Sequence, residues 1–197
     1  MIVCQIAGFL GSGKTTLMIR LGKELNRAGK KVAIIVNEVG EVGVDGTLID
    51  AYGLHAVEIT EGCICCSLSG SLQNTLRIVA KEFSPDFILI EPTGLALPNK
   101  VNGIIRVSMV ETERNVSVAL VDAFRADALF KETRAFFARQ ISGVDVVAVN
   151  KIDLVSEERL KQIEALVREL APEAKIARIS ARKGQGVNEL MKALGVV

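Results

Sequence analysis

The chain predicts a three-layer α/β/α fold on a mainly parallel sheet, and three observations carry that expectation. Short apolar runs alternate with longer amphipathic segments, which is the pattern of repeated βα units. The runs are continuous stretches of Val, Ile, Leu and Ala rather than in–out alternations, as strands covered on both faces require. Composition agrees: 49% of the 197 residues are hydrophobic and 17 are glycine, yet only 4% are aromatic. That length suits one domain, 1–197, with a core of useful size.

The predicted strands lie at about 2–7, 32–36, 87–91, 116–121, 145–149 and 175–179. Predicted helices fall between them at about 14–28, 68–82, 98–110, 125–140, 156–170 and 187–194. The first helix sets Leu17, Leu21 and Leu25 on one face. The fifth begins with Ser156 as its N-cap and carries Glu157 and Glu158 in its first turn, where the helix dipole favours anions. Its apolar stripe is Leu160, Ile163, Val167 and Leu170. Residues 37–67 break the rhythm, with only weak strand signals near 47–50 and 56–59. An irregular insert of that length in a compact domain is expected to be functional.

Charge and hydropathy exclude several classes. With 24 basic and 23 acidic residues the net charge is +1, without a long run of either sign, so no nucleic acid or anionic lipid is expected as a partner. No apolar stretch approaches the roughly 20 residues of a membrane span. The apolar start "MIVCQIAGF" lacks a basic lead-in, so no signal peptide is expected. Four cysteines, three of them clustered, do not form a secreted disulfide framework; a reducing cytoplasm is the expectation.

"GFLGSGKT", Gly8 to Thr15, matches the phosphate-binding loop G-x-x-x-x-G-K-[ST] between a predicted strand and a predicted helix. Gly8, Gly11, Ser12 and Gly13 let backbone N–H groups turn toward phosphates, and the helix N-terminus beginning with Lys14, Thr15 and Thr16 adds partial positive charge. Lys14 is suited to the β- and γ-phosphates and the Thr15 hydroxyl to Mg²⁺. The fold expected is that of a P-loop NTPase. "VVAVNKID" then places Asn150, Lys151 and Asp153 after a strand. The Asp153 carboxylate can accept from guanine N1–H and its 2-amino group, a pairing adenine lacks. Lys151 can lie over the base and Asn150 can bond the purine N7. In "ISAR", the backbone of Ser180 and Ala181 is placed to meet guanine O6. In "FILIEPTG", Glu91 ends a strand, where it can hold Mg²⁺ through water, and the Gly94 N–H can sense the γ-phosphate. Lys14, Thr15 and Glu91 are the expected catalytic group. Asp122 ends the next strand and reads as a structural or a switch-relay residue.

"EGCICCSL" holds Cys63, Cys65 and Cys66 within four positions. A closed structural zinc site wants four ligands in separated pairs, and a vicinal disulfide would be strained and reducible. An open three-thiolate site fits better, with Glu38, Glu41, Glu61 or the lone His55 as candidates to complete it. Soft sulfur selects Zn²⁺ or Cu(I), tolerates Co²⁺ and Ni²⁺, and disfavours Mg²⁺ and Ca²⁺.

Taken in order, these motifs resemble the CobW-type metallochaperone GTPases, relatives of HypB and UreG, over nearly the whole chain. "GFLGSGKTT" is similar to that family's phosphate loop, "NEVGEVGVDG" (37–46) to its switch segment, "GCICC" (62–66) to its metal motif and "EPTGLALP" (91–98) to its Glu-x-x-Gly segment. The resemblance implies Zn²⁺ or Co²⁺ on Cys63, Cys65 and Cys66, with Glu38 and Glu41 in the switch near that metal or Mg²⁺. It further implies GTP hydrolysis coupled to metal transfer to a client protein, and a homodimer formed on nucleotide or metal binding. Longer family members carry a C-terminal domain, whereas this chain is expected to be the GTPase domain alone. Glu61 stands where Asn is common in the family, and Leu97 where Asp is common. No water-positioning Gln is evident, so slow intrinsic turnover is expected. Two alternatives stay open: a regulatory gatekeeper of a cobalamin-dependent or other metalloenzyme that delivers no metal, and a nucleotide kinase, against which the guanine motif argues.

Overall fold

A computed structural model describes residues 1–36, 55–58 and 68–195. The strands are β1 (Ile2–Gly8), β2 (Val32–Val36), β3 (His55–Glu58), β4 (Phe87–Glu91), β5 (Arg114–Asp122), β6 (Val146–Asn150) and β7 (Lys175–Arg178). The helices are α1 (Lys14–Arg27), α2 (Leu68–Ile78), α3 (Pro98–Val107), α4 (Ala126–Ile141), α5 (Glu157–Leu170) and α6 (Val187–Leu194). The strands form one seven-stranded sheet in the order β3-β2-β4-β1-β5-β6-β7, with every pairing parallel.

The apolar runs are explained by burial on both faces. Cys4, Ile6, Ile34, Leu89 and Val118 pack with Leu17, Met18 and Leu21 of α1 and with Leu190 and Met191 of α6. Their strand neighbours face the other way. Val3, Ala33, Ile35 and Ile88 meet Leu72 and Leu76 of α2 and Val101 and Ile105 of α3, while Ala119, Val121 and Val147 meet α4 and α5. The result is the expected three-layer sandwich, with α1 and α6 on one side and α2 to α5 on the other.

Six predicted strands and six helices stand where periodicity put them, and the Ser156 cap forms, its hydroxyl accepting from the Arg159 N–H. Three differences are informative. The weak signal near 56–59 is a true strand, β3, of only four residues. The segment predicted as one helix at 68–82 changes at Val79 into a π-helical turn, Val79–Phe83, closed by Ser84 in the left-handed region. The third helix stops at Val107, because Met109 is also left-handed, with φ of 55°. The weak strand signal at 47–50 lies outside the described residues.

The topology sets the site. All strands point the same way, so their carboxyl ends form one edge, which is where open parallel sheets bind ligands. Register brings Val36 beside both Glu91 and Glu58 on that edge. These are the described residues from which 37–54 and 59–67 depart.

Candidate nucleotide site

Between β1 and α1 the phosphate loop turns through Gly13, whose φ of 99° is left-handed. A Cβ there would stand 2.5 Å from Asn150 Nδ2, so only glycine fits. No side chain caps α1, which leaves the N–H groups of its first turn available to an anion. Gly94 packs against the outside of the loop; a Cβ on it would meet the Leu10 nitrogen at 3.0 Å.

At one end of the loop, Thr15 Oγ1 donates to Glu91 Oε1 at 2.9 Å. Lys14 Nζ lies 3.9 Å from the same oxygen, and both side chains are largely buried. A hydroxyl and a carboxylate are hard oxygen donors of the kind Mg²⁺ takes. The chemistry of this donor set therefore fits Mg²⁺, and the ammonium and bare helix N-terminus fit its nucleotide phosphates.

At the other end, the guanine motif is already assembled. Asn150, which is 2% exposed, donates from Nδ2 to the Ser12 carbonyl at 2.8 Å and accepts the Ala181 N–H on Oδ1 at 2.9 Å. Its second amide N–H is what is left for a purine N7. Lys151 is left-handed, with φ of 65°, and its Nζ donates to the Gly11 carbonyl at 2.7 Å and to Asp122 at 2.8 Å. Its stem therefore runs back over the phosphate loop. The Asp153 carboxyl is held below its ordinary value chiefly by a hydrogen bond from the Ser180 hydroxyl, with Lys183 assisting. At neutral pH it is an ionised acceptor, the state guanine recognition needs.

Together these residues line a cavity of about 660 Å³, within the range that holds small-molecule ligands. Gly11, Gly13, Lys14, Thr15, Thr16, Glu91, Asn150, Lys151, Asp153, Ser180 and Ala181 all face it, as the motifs anticipate. Gly8, Ser12 and Gly94 do not; they form the loop's base and back. Ser12 is fully buried, its N–H donates to the Phe9 carbonyl, and its hydroxyl has no hydrogen-bond partner among the described residues. The N–H groups of Ser180 and Ala181 are donated to the Gln185 carbonyl and to Asn150 Oδ1.

Some residues escaped motif reading. Leu10 and Leu154 line the cavity although 83% and 56% exposed, and Arg182 joins them. Arg125 donates to Asp122 Oδ2 at 2.8 Å and to the Leu10 carbonyl at 2.6 Å; the sequence hint was its position three residues after a strand-ending aspartate. Gln140 of α4, 2% exposed, donates to the Gly94 carbonyl at 2.9 Å. Asp122 is 1% exposed. Burial alone would raise its carboxyl, but the hydrogen bonds from Lys151 and Arg125 outweigh it and hold the group below the usual carboxylate range.

The candidate metal ligands Cys63, Cys65, Cys66, Glu38, Glu41 and Glu61 lie outside the described residues. His55 begins β3 opposite Ala33, three residues short of the carboxyl edge. The fourth cysteine, Cys4, is buried in β1, where desolvation pushes its thiol up to about 12; it is a core residue and no metal ligand.

Residues 2–178 match the model of the CobW/HypB/UreG nucleotide-binding domain. The chain belongs to that family. Among characterised relatives, it is 31% identical to a zinc chaperone CobW from a Sinorhizobium species, over 97% of this chain and 62% of that protein. It is 34% identical to the Escherichia coli zinc chaperone YjiA, over 83% of this chain and 54% of that one. A Dictyostelium discoideum protein named zinc-regulated GTPase metalloprotein activator 1 is 30% identical, over 89% of this chain and 45% of that one. The chain thus spans 45% to 62% of the length of these relatives. Among solved structures, the hydrogenase maturation factor HypB from Archaeoglobus fulgidus superposes with a TM-score of 0.70 at 24% identity, over all of this chain and 89% of that one. Zn(II)-bound YjiA superposes at 0.66 with 24% identity, over 95% and 62%. At that identity the two structures show the fold alone. Among the described residues no helix is long and apolar enough to cross a membrane.

Proposed function

We propose that the chain is the GTP-binding and GTP-hydrolysing domain of a metallochaperone. In this reading it takes Zn²⁺, or Co²⁺, as cargo on Cys63, Cys65 and Cys66 and couples hydrolysis to transfer of the metal to a client protein in a reducing cytoplasm. The observation that carries it is the register at the sheet edge. Glu91, bonded to Thr15 of the phosphate loop, sits directly beside Val36, and Val36 beside Glu58. The segments bearing the switch-like and cysteine motifs depart from those two residues.

In the nucleotide site, Asp153 accepts the guanine edge, and Lys151 lies along the base. Lys14 sets its ammonium against the β- and γ-phosphates. Mg²⁺, when bound with the nucleotide, neutralises phosphate charge. Thr15 would give it a protein oxygen and Glu91 would hold it through water, so nucleotide loading would draw Thr15 out of its bond with Glu91. Because Glu91 borders β2, that exchange is felt where 37–54 begins. Slow intrinsic turnover is part of this reading. Leu10, Leu95 and Phe124, which are 83%, 77% and 68% exposed around the phosphate loop, support association with a second copy when nucleotide or metal is bound.

Zn²⁺ titration of anaerobically purified protein, loaded first with GTP and then with GDP, tests the coupling. The affinities should differ by about 5- to 150-fold, the usual span of allosteric coupling; equal affinities sink it. Replacing Cys63, Cys65 and Cys66 with Ser should abolish tight Zn²⁺ binding and client activation together. If activation survives that change, the chain is a regulatory gatekeeper and delivers no metal.

A further inference from the structure

Three successive carbonyls of the phosphate loop, those of Leu10, Gly11 and Ser12, are each held by a side chain from another part of the fold. Arg125 takes the first at 2.6 Å, Lys151 the second at 2.7 Å and Asn150 the third at 2.8 Å. Two of these donors are cations, and both are fixed on one buried carboxylate, Asp122, at 2.8 Å each. In a trans peptide the C=O and the following N–H point in opposite directions. Anchoring the Leu10 carbonyl therefore aims the Gly11 N–H the other way, and anchoring the Ser12 carbonyl does the same for the Gly13 N–H. A loop free to flip these peptides would present carbonyl oxygens to phosphate, and like partial charges repel.

We propose that Arg125, oriented by Asp122, is a positioning residue for nucleotide phosphates. It keeps the Leu10–Gly11 peptide turned so that its N–H, and not its oxygen, serves the ligand. Arg125 does not line the nucleotide cavity, so the effect is indirect. Lys151 shares the same carboxylate, which ties the base-side and phosphate-side halves of the site to one anchor. The proposal rests on the guanine-nucleotide reading above and adds a residue that no nucleotide motif includes.

The test compares wild type with Arg125→Gln, Arg125→Lys and Asp122→Asn in three measurements. These are calorimetric affinity for GDP and for ADP, amide NMR of the nucleotide-free protein, and its melting temperature. Arg125→Gln should weaken GDP binding about tenfold, the loss of roughly one charge-assisted hydrogen bond, and leave the GDP-to-ADP ratio unchanged. In the nucleotide-free protein the Gly11 amide should shift and exchange faster, while the Gly13 amide, governed by Asn150, stays in place. Arg125→Lys keeps a donor and a charge and should recover most of the affinity. Asp122→Asn should weaken GDP more than Arg125→Gln does, since it releases both cations; the partly exposed Arg125 site keeps the test sound if Asp122→Asn folds poorly. Unchanged GDP affinity and an unmoved Gly11 amide in Arg125→Gln overturn the proposal while the functional reading stands. A wild-type protein that binds neither GDP nor GTP overturns both.

Discussion

The two ends of the cavity are built differently. At the base end, Asn150, Lys151, Asp153, Ser180 and Ala181 are cross-linked to one another, to the phosphate loop and to Asp122 before any ligand arrives. At the phosphate end, Thr15 is bonded to Glu91 and Lys14 stands 3.9 Å away, and on the reading proposed above these are the groups a nucleotide with its metal would recruit. On that reading, recognition of the base is prepaid in folding, while engagement of the phosphates would rearrange protein contacts. A preformed base pocket gives selectivity without motion. An exchangeable phosphate end gives a signal that can travel along the sheet edge.

Substitutions at each end should separate these roles. Lys14→Ala removes the ammonium from the phosphate end, and GTP hydrolysis, read as phosphate release, should fall on the order of 100- to 1,000-fold, the usual loss for a transition-state charge partner. A residual rate above one-tenth of wild type would break the division. Asn150→Ala strips a buried staple and leaves the Ser12 carbonyl and Ala181 N–H unsatisfied, at a cost of about 2–4 kcal/mol. Melting should then fall by roughly 4–16 °C even without ligand. A normal melting point would show the base end to be less preassembled than its hydrogen bonds indicate.

The smallest effect concerns Asp122, which joins the ends. Its folded-state pKa is depressed, so its stabilisation is full above the unfolded carboxylate value of about 3.9 and is lost as pH falls through the folded value. Asp122→Asn should therefore destabilise clearly at pH 7 in urea melts, with the difference shrinking below about pH 4. A pH-independent difference would mean that packing, not charge, holds the hub.

Motif and periodicity made most of this legible before any coordinates. The phosphate loop, the guanine motif and Glu91 are local strings whose geometry follows from one strand–turn–helix each. What stayed hidden depends on strand order. Arg125 and Gln140 act on Leu10 and Gly94, 115 and 46 positions away, and no local pattern reports such pairings. Asp122 was ambiguous for a related reason: Arg125 is a local partner, but Lys151 comes beside it only once β5 and β6 lie side by side. β3 was faint because four residues give almost no period to count. The π-helical turn after Ile78 kept the apolar pattern of a helix, so composition had no means of marking it.

The sheet's two margins have unequal security. β7 is riveted: Arg178 pairs with Glu157 and Glu164, Ser180 bridges to Gln185, and Gly186 sits so tightly against the Arg178 carbonyl that any side chain would collide with it. β3, at the opposite margin, is a hem of four described residues that, among the described residues, is stitched to β2 alone. Unpicking it forfeits a handful of ladder bonds, each worth about 1 kcal/mol, and leaves the buried strands β1, β4 and β5 intact. On the reading proposed above, the cysteine motif thus follows directly from the margin whose described strand is the more thinly held, and the nucleotide site is built on the firmly buried strands.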